Sequence, residues 1–208
     1  IAKAAAFDQS VTSINPDVST EKNITSLKTQ LIAIDKAYNA LTPIQKQFIS
    51  QASLDIVKPF QGVLTISGQI GDLKANNTQQ YRDAVDKIQK DIDALGNINM
   101  GNVVITKDIV VKIIPNIDKH ITAQEDIDAA VKVEAIITTL KGSVGAPTPD
   151  INKVQDARKA YNALSSSQKK LVMNLADLTV WESADKDAAA VEKKINAIKV
   201  SNKADFYK

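Results

Sequence analysis

The chain has no cysteine, one histidine and one tryptophan in 208 residues, and aromatic side chains make up only 4% of it. Without cysteine there is no disulfide, no thiolate metal site and no thiol nucleophile, but the compartment stays open. His120 alone leaves a Ser-His triad, a His-based metal cluster or a His acid/base pair short of partners, so a structural or solvent-exposed role is expected for it. No apolar run approaches the ~20 residues needed to cross a bilayer, which argues against membrane insertion. Neither sign of charge dominates: 26 basic and 24 acidic side chains leave a net +2, too balanced for a face that must offset many phosphates, so nucleic acid is not an expected partner. There is also no phosphate loop, no Gly-x-Ser-x-Gly elbow and no metalloprotease helix motif. No enzyme is expected, and no catalytic, cofactor-binding or metal-binding residue is assigned.

What the chain does have is an internal repeat. Lys36-Ala37-Tyr38-Asn39-Ala40-Leu41 returns as Lys159-Ala160-Tyr161-Asn162-Ala163-Leu164, a constant shift of 123 residues, and Gln45-Lys46 returns as Gln168-Lys169. A repeat implies units that bury their apolar faces against their neighbours. The apolar residues, 44% of the chain, are mostly aliphatic, which suits slender helices with narrow contact stripes.

Three helix types are expected in each unit. An opening helix is marked by apolar steps of three and four at Ala4, Phe7, Val11 and Ile14, and again at Val85, Ile88, Ile92 and Leu95. The same rhythm returns at Ala130, Val133, Ile137 and Leu140, and at Ala188, Val191, Ile195 and Ile198. A second helix carries the Tyr motif, with Ile24, Leu27, Leu31, Ile34, Tyr38 and Leu41 on one stripe and Val154, Ala157, Tyr161 and Leu164 on its counterpart, Asp150 serving as N-cap. A third helix begins at Pro43 with Thr42 as its N-cap and turns Phe48, Ile49, Ala52 and Ile56 inward; Leu171, Val172, Leu175 and Leu178 do so in the second copy. All seven glycines, together with Pro16, Pro43, Pro147 and Pro149, are read as falling between helices.

The expected fold is therefore all-α, an elongated tandem array of short antiparallel three-helix bundles with a small β-like insert. Residues 1–75 form a first repeat carrying a Gly-rich insert at 61–77, where Val63-Leu64-Thr65-Ile66 reads as a linker or a brief strand. Residues 76–122 form a degenerate unit whose run Ile109 to Ile121 is kinked or ended by Pro115, and Val103-Val104-Ile105 is a candidate to pair with Val63–Ile66. Residues 123–183 form a second full repeat, and 184–208 the opening helix of a further, truncated one. The natural protein is expected to continue beyond this chain.

The second copy reads Ala157-Arg158-Lys159-Ala160-Tyr161-Asn162-Ala163-Leu164-Ser165, then Gln168-Lys169-Lys170-Leu171-Val172 and Asn174. It resembles the helical tandem repeats of Gram-positive surface-layer and related cell-wall-associated proteins. The resemblance covers Val131 to Glu182 well and Ala4 to Phe60 less well, since Ile34-Asp35 stands where the pattern has Ala-Arg and Phe48-Ile49-Ser50-Gln51 where it has Leu-Val-x-Asn. It implies an extracellular, wall-attached, non-enzymatic protein, and it carries over no ligand-binding residues.

Several side chains have a functional and a plainer reading. Tyr38, Tyr161 and Trp181 can form a stacking platform for sugars, but the inward stripe favours buried tyrosine rings, and the end of the third helix favours Trp181 as packing between units. Asp91/Asp93, Glu125/Asp126/Asp128 and Asp185/Asp187 invite a calcium reading, yet solvated helix exteriors and dipole complementarity explain them without a calcium loop. The Gln-Lys pairs cap the third helix or reach the Tyr helix. Lys169, Lys170, Lys193, Lys194 and Lys199, with Lys203, concentrate positive charge; with Trp181 they are the candidate contacts for an anionic wall polymer, and a solvated face is the plainer alternative. Expected partners are thus a cell-wall polymer or neighbouring surface-protein subunits, with no cofactor. The leading functional expectation is a structural spacer and assembly module; the runner-up is a polysaccharide- or partner-binding module.

Overall fold

The computed structural model describes residues 1–100, 103–140 and 151–205, with side chains through residue 198. The expected N-cap Asp150, Gly101, Gly142, Gly145, Pro147, Pro149 and the side chains of Lys199 and Lys203 lie outside the described part. The described residues are mostly helical, with one small antiparallel hairpin. The chain divides into two compact units, residues 1–74 with 80–123 and residues 75–79 with 124–208.

In the first unit, α1 (Ala2–Thr12) buries Ala4, Phe7 and Val11, and α2 (Glu21–Asn39) buries Ile24, Leu27, Leu31 and Ile34. Thr20 caps α2 by accepting the Asn23 N–H at 3.2 Å. A four-residue α3 (Pro43–Lys46) follows, then α4 (Gln51–Val57), a 3₁₀ turn at Lys58–Phe60, and α5 (Gln61–Asp72). The expected single third helix is thus split: Ser50 restarts it as a fresh N-cap, accepting the Ser53 N–H. That restart shifts the inward face. Ile49 is buried and Ile56 half-buried as expected, but Phe48 and Ala52 are exposed and Ser53 takes an inner position.

Residues 61–77 are the larger correction. Their first twelve residues form α5, with Gly62, Gly68 and Gly71 inside a helix rather than between helices. Val63, Ile66 and Ile70 lie on one α-helical face and are buried in one cluster with Ile24, Leu27 and Leu31 of α2 and with Ile88 and Ile92. Tertiary burial therefore overrides the β tendency of Val-Leu-Thr-Ile and the cost of the glycines. Val103–Ile105 is a strand, β2, but its partner is β1 (Ile98–Met100), in the register Ile98↔Ile105 and Met100↔Val103. A neighbour in sequence closes a hairpin at small entropic cost, and the buried pair Ile98 and Ile105 fixes which face points inward.

Around the hairpin, α6 (Gln79–Asp93) buries Val85, Ile88 and Ile92; α7 (Lys107–Lys112) ends before Pro115, and α8 (Ile117–Thr139) starts beyond it. Asn116 between them has φ of 60°, a left-handed conformation that Asn tolerates better than most residues. One apolar cluster joins α2, α5, α6, the hairpin and α7, so the first repeat and residues 80–123 share a core. A second cluster joins Phe7, Val11, Ile34, Leu41 and Ile49.

In the second unit, α8 buries Ala130, Val133 and Ile137, and Leu140 follows just after its end. Val154 and Ala157 of α9 (Ile151–Ala163) are buried, as are Leu171, Val172 and Leu178; Leu164 and Leu175 are half-buried. A short α10 (Ser166–Lys169) leads to α11 (Leu175–Asp205), which packs on α9. The expected third helix and the expected next opening helix are one unbroken helix of 31 residues. Within the described side chains its stripe Val191, Ile195 and Ile198 is 54%, 46% and 58% exposed.

Candidate functional site

Three polar contacts recur in the two full repeats. In the first copy the Thr42 N–H donates to Gln45 Oε1 at 2.9 Å while the Gln45 N–H donates to Thr42 Oγ1 at 3.2 Å. Ser165 and Gln168 repeat this reciprocal capping box at 2.9 and 3.3 Å. The lysine after each glutamine covers the repeat tyrosine: Lys46 Nζ lies 4.0 Å from the Tyr38 ring centre, and Lys169 Nζ 5.8 Å from that of Tyr161. The opening helix supplies the third contact. Asp8 accepts the Ser50 N–H at 3.1 Å, and Glu134 accepts the N–H of Met173, the equivalent residue after the 123-residue shift, at 2.6 Å. Both Gln-Lys readings hold together: glutamine caps, and lysine reaches the Tyr helix.

The tyrosines are less buried than their stripe suggests. Tyr38 is 37% exposed, touching Phe7 at 5.7 Å between ring centres, and Tyr161 is half-buried. Each ring sits at the bundle rim, where the lysine of the capping turn lies over it and can keep its ammonium group in water.

The residues around the two tyrosines differ. Arg158, one helical turn before Tyr161, lies 5.3 Å from its ring centre and makes a two-pronged ion pair with Glu182. That pair raises the arginine pKa and lowers the glutamate one, both through their mutual hydrogen bonds first. The residue at Arg158's place before Tyr38 is Asp35. Asp35 accepts from Asn39 Nδ2 at 3.1 Å; desolvation raises its pKa, opposed only by that hydrogen bond. Asp35, Tyr38 and Asn39 line a groove of about 490 Å³ that is also lined by Asp55, Lys58 and Leu64 of α5. No sequence pattern marks this groove as a cavity. Its one sequence signal was the Asp35 departure from the second copy, but a cavity depends on what neighbouring elements fail to fill.

The lysine and tryptophan candidates do not gather into one site. Lys169 is engaged with Tyr161 and donates to the Asn162 carbonyl at 3.0 Å; Lys170 is exposed just beyond α10. Trp181 is half-buried on α11, and Lys193 and Lys194 are exposed on the same helix. At ~1.5 Å and ~100° per residue, they lie roughly 18 Å or more along the helix from Trp181 and on other faces. Lys199 belongs to α11 by its backbone.

His120 is buried, with Nε2 3.0 Å from Gln89 Oε1 and Nδ1 without a hydrogen-bond partner; burial lowers its pKa. Its neighbour Lys119 donates to the carbonyls of Ile70, Gly71 and Leu73, closing the end of α5. Asp91 accepts from Lys87 and Gln69, and Asp93 from Gln89. Among the described residues no three His, Asp or Glu side chains converge as a metal site, and no helix is long and apolar enough to cross a membrane. Compared with protein-family models, curated proteins and solved structures, the chain matches none.

Proposed function

We propose that this chain is a non-enzymatic structural spacer and assembly module of a bacterial surface-layer or cell-wall-associated protein, with its repeats stacked as short antiparallel three-helix bundles. The observation that carries the reading is the recurrence of capping box, Tyr-Lys contact and carboxylate clamp at equivalent residues. Selection on a single active site does not require that contacts recur in this way, whereas a unit used several times does. The exposed stripe of α11 gives further support. Val191, Ile195 and Ile198 correspond, 58 residues on, to Val133, Ile137 and Leu140, which are buried. A further unit of the same kind, laying its Tyr helix on α11, accounts for that apolar face. The surface-layer assignment and the extracellular location rest on the resemblance of Ala157 to Asn174 to such repeats.

The test combines small-angle scattering of the whole chain with co-sedimentation on purified Gram-positive cell walls at low and high salt. An extended particle that ignores the wall is expected. A compact profile overturns the stacked-array reading. Wall binding abolished by salt favours the alternative, a module for anionic wall polysaccharide in which the exposed Lys193 and Lys194 meet the polymer's negative groups.

A further inference from the structure

The two repeat tyrosines are solvated by cations to different extents. Tyr161 has two cations near it, Lys169 from the capping turn and Arg158 from its own helix. Tyr38 has one, Lys46, and in Arg158's place stands the carboxylate of Asp35. In the second repeat the guanidinium is therefore built into the chain and anchored by Glu182, whereas in the first an anionic group faces an open groove of about 490 Å³. That volume lies in the range of small-ligand sites.

We propose that the groove bounded by α2, α4 and α5 binds a guanidinium or ammonium group carried on a short aliphatic stem, with Asp35 as its counter-ion. Among the lining side chains Asp35 and Asp55 are set against Lys58, while Lys46, over the Tyr38 ring, does not line the groove. Asp55 accepts from Gln51, Asp35 from Asn39, and neither carboxylate forms an ion pair within the described residues. Lys58 lines the same groove without an ion pair to Asp35. An incoming cation gains a charge-assisted hydrogen bond and the rim of the Tyr38 ring, the two contacts that Arg158 makes with Glu182 and Tyr161. Leu54, Val57 and Leu64 supply the apolar wall along which a lysine or arginine stem packs. The same chemistry is offered by a side chain of a partner polypeptide or by a free small cation.

Titration of the ¹⁵N-labelled whole chain tests this. The probes are N-acetyl-arginine amide, its uncharged isostere N-acetyl-citrulline amide, and methylguanidinium. Saturable shifts of the Asp35, Asn39 and Gly68 amides are expected with the arginine probe and not with the citrulline probe. Methylguanidinium equal to the arginine probe identifies a site for free cations; a marked preference for the arginine probe identifies a side-chain site. Asp35→Asn is expected to weaken binding by about tenfold or more, while Glu125→Gln, at an exposed acid elsewhere, leaves it unchanged. Asp35→Arg supplies the cation from within the chain and is expected to abolish binding while the helical circular dichroism is retained. Equal response to citrulline, or full binding by either folded Asp35 variant, overturns the proposal.

Discussion

His120 is 1% exposed, and its imidazole has a single polar contact, to Gln89. Burial favours the neutral ring, so the folded-state pKa lies below the value of about 6.5 that the ring has in the unfolded chain. Below that value the unfolded state takes up a proton that the folded state refuses. The stabilising contribution is therefore complete above about pH 6.5 and is lost as pH falls toward the folded-state pKa. Urea midpoints measured across this range are expected to drop for the wild type, and the drop is expected to shrink in His120→Gln. Glycine offers a second prediction at this scale. A Cβ added at Gly68, inside α5, meets nothing within 4 Å, so Gly68→Ala is expected to stabilise the chain by about 1 kcal/mol in chemical denaturation. At Gly62 the same Cβ comes within 3.1 Å of Leu95, and Gly62→Ala is expected to give less than Gly68→Ala, or to destabilise, according to whether Leu95 can yield.

At the scale of elements, equivalent positions should answer differently to one substitution. Val133→Asp places an unpaired carboxylate in a buried position and is expected to cost several kcal/mol, whereas Val191→Asp, at the exposed counterpart, is expected to stay within about 0.5 kcal/mol. Thermal melts of the two variants check this, and equal losses would show that α11 already has its apolar face covered. The helices that could be read from the sequence were those with a long run of three- and four-residue steps: α1, α2, α6, α9 and the later parts of α8 and α11. The starts of α3 and α10 were legible as well, since Thr42-Pro43 and the Gln-Lys pairs mark a start that local chemistry alone fixes. α5 was not, because three glycines and a β-branched run outweigh, over twelve residues, a stripe whose value depends on α2 and α6 being beside it. The groove was illegible for a related reason. Asp35 is visible as a departure from the second copy, but the space in front of it arises only where α4 and α5 fold back past α2.

For the molecule as a whole, the joint apolar core of the first unit makes a cooperative claim. Phe60 is fully buried in the cluster that contains α2, α5, α6, the hairpin and α7. Phe60→Ala is expected to cost about 3–5 kcal/mol, and hydrogen exchange is expected to show α2 and α6 losing protection together. Separate loss would mean that residues 80–123 hold a core of their own.

The continuity of α11 has a further consequence. Leu178, on its packed side, and Val191, on its bare side, are joined by helix without a break, so the azimuth between those two surfaces is set by residue count alone. One residue inserted near Ala184 turns the bare stripe by ~100° about the axis; seven turn it by close to two full rotations and nearly restore its bearing. The helix thus acts as a keyed shaft. If the proposed further unit seats on its far end, its orientation is set by an integer, and insertions of one and of seven residues should separate lost seating from kept seating even though the seven-residue form displaces that end by ~10 Å.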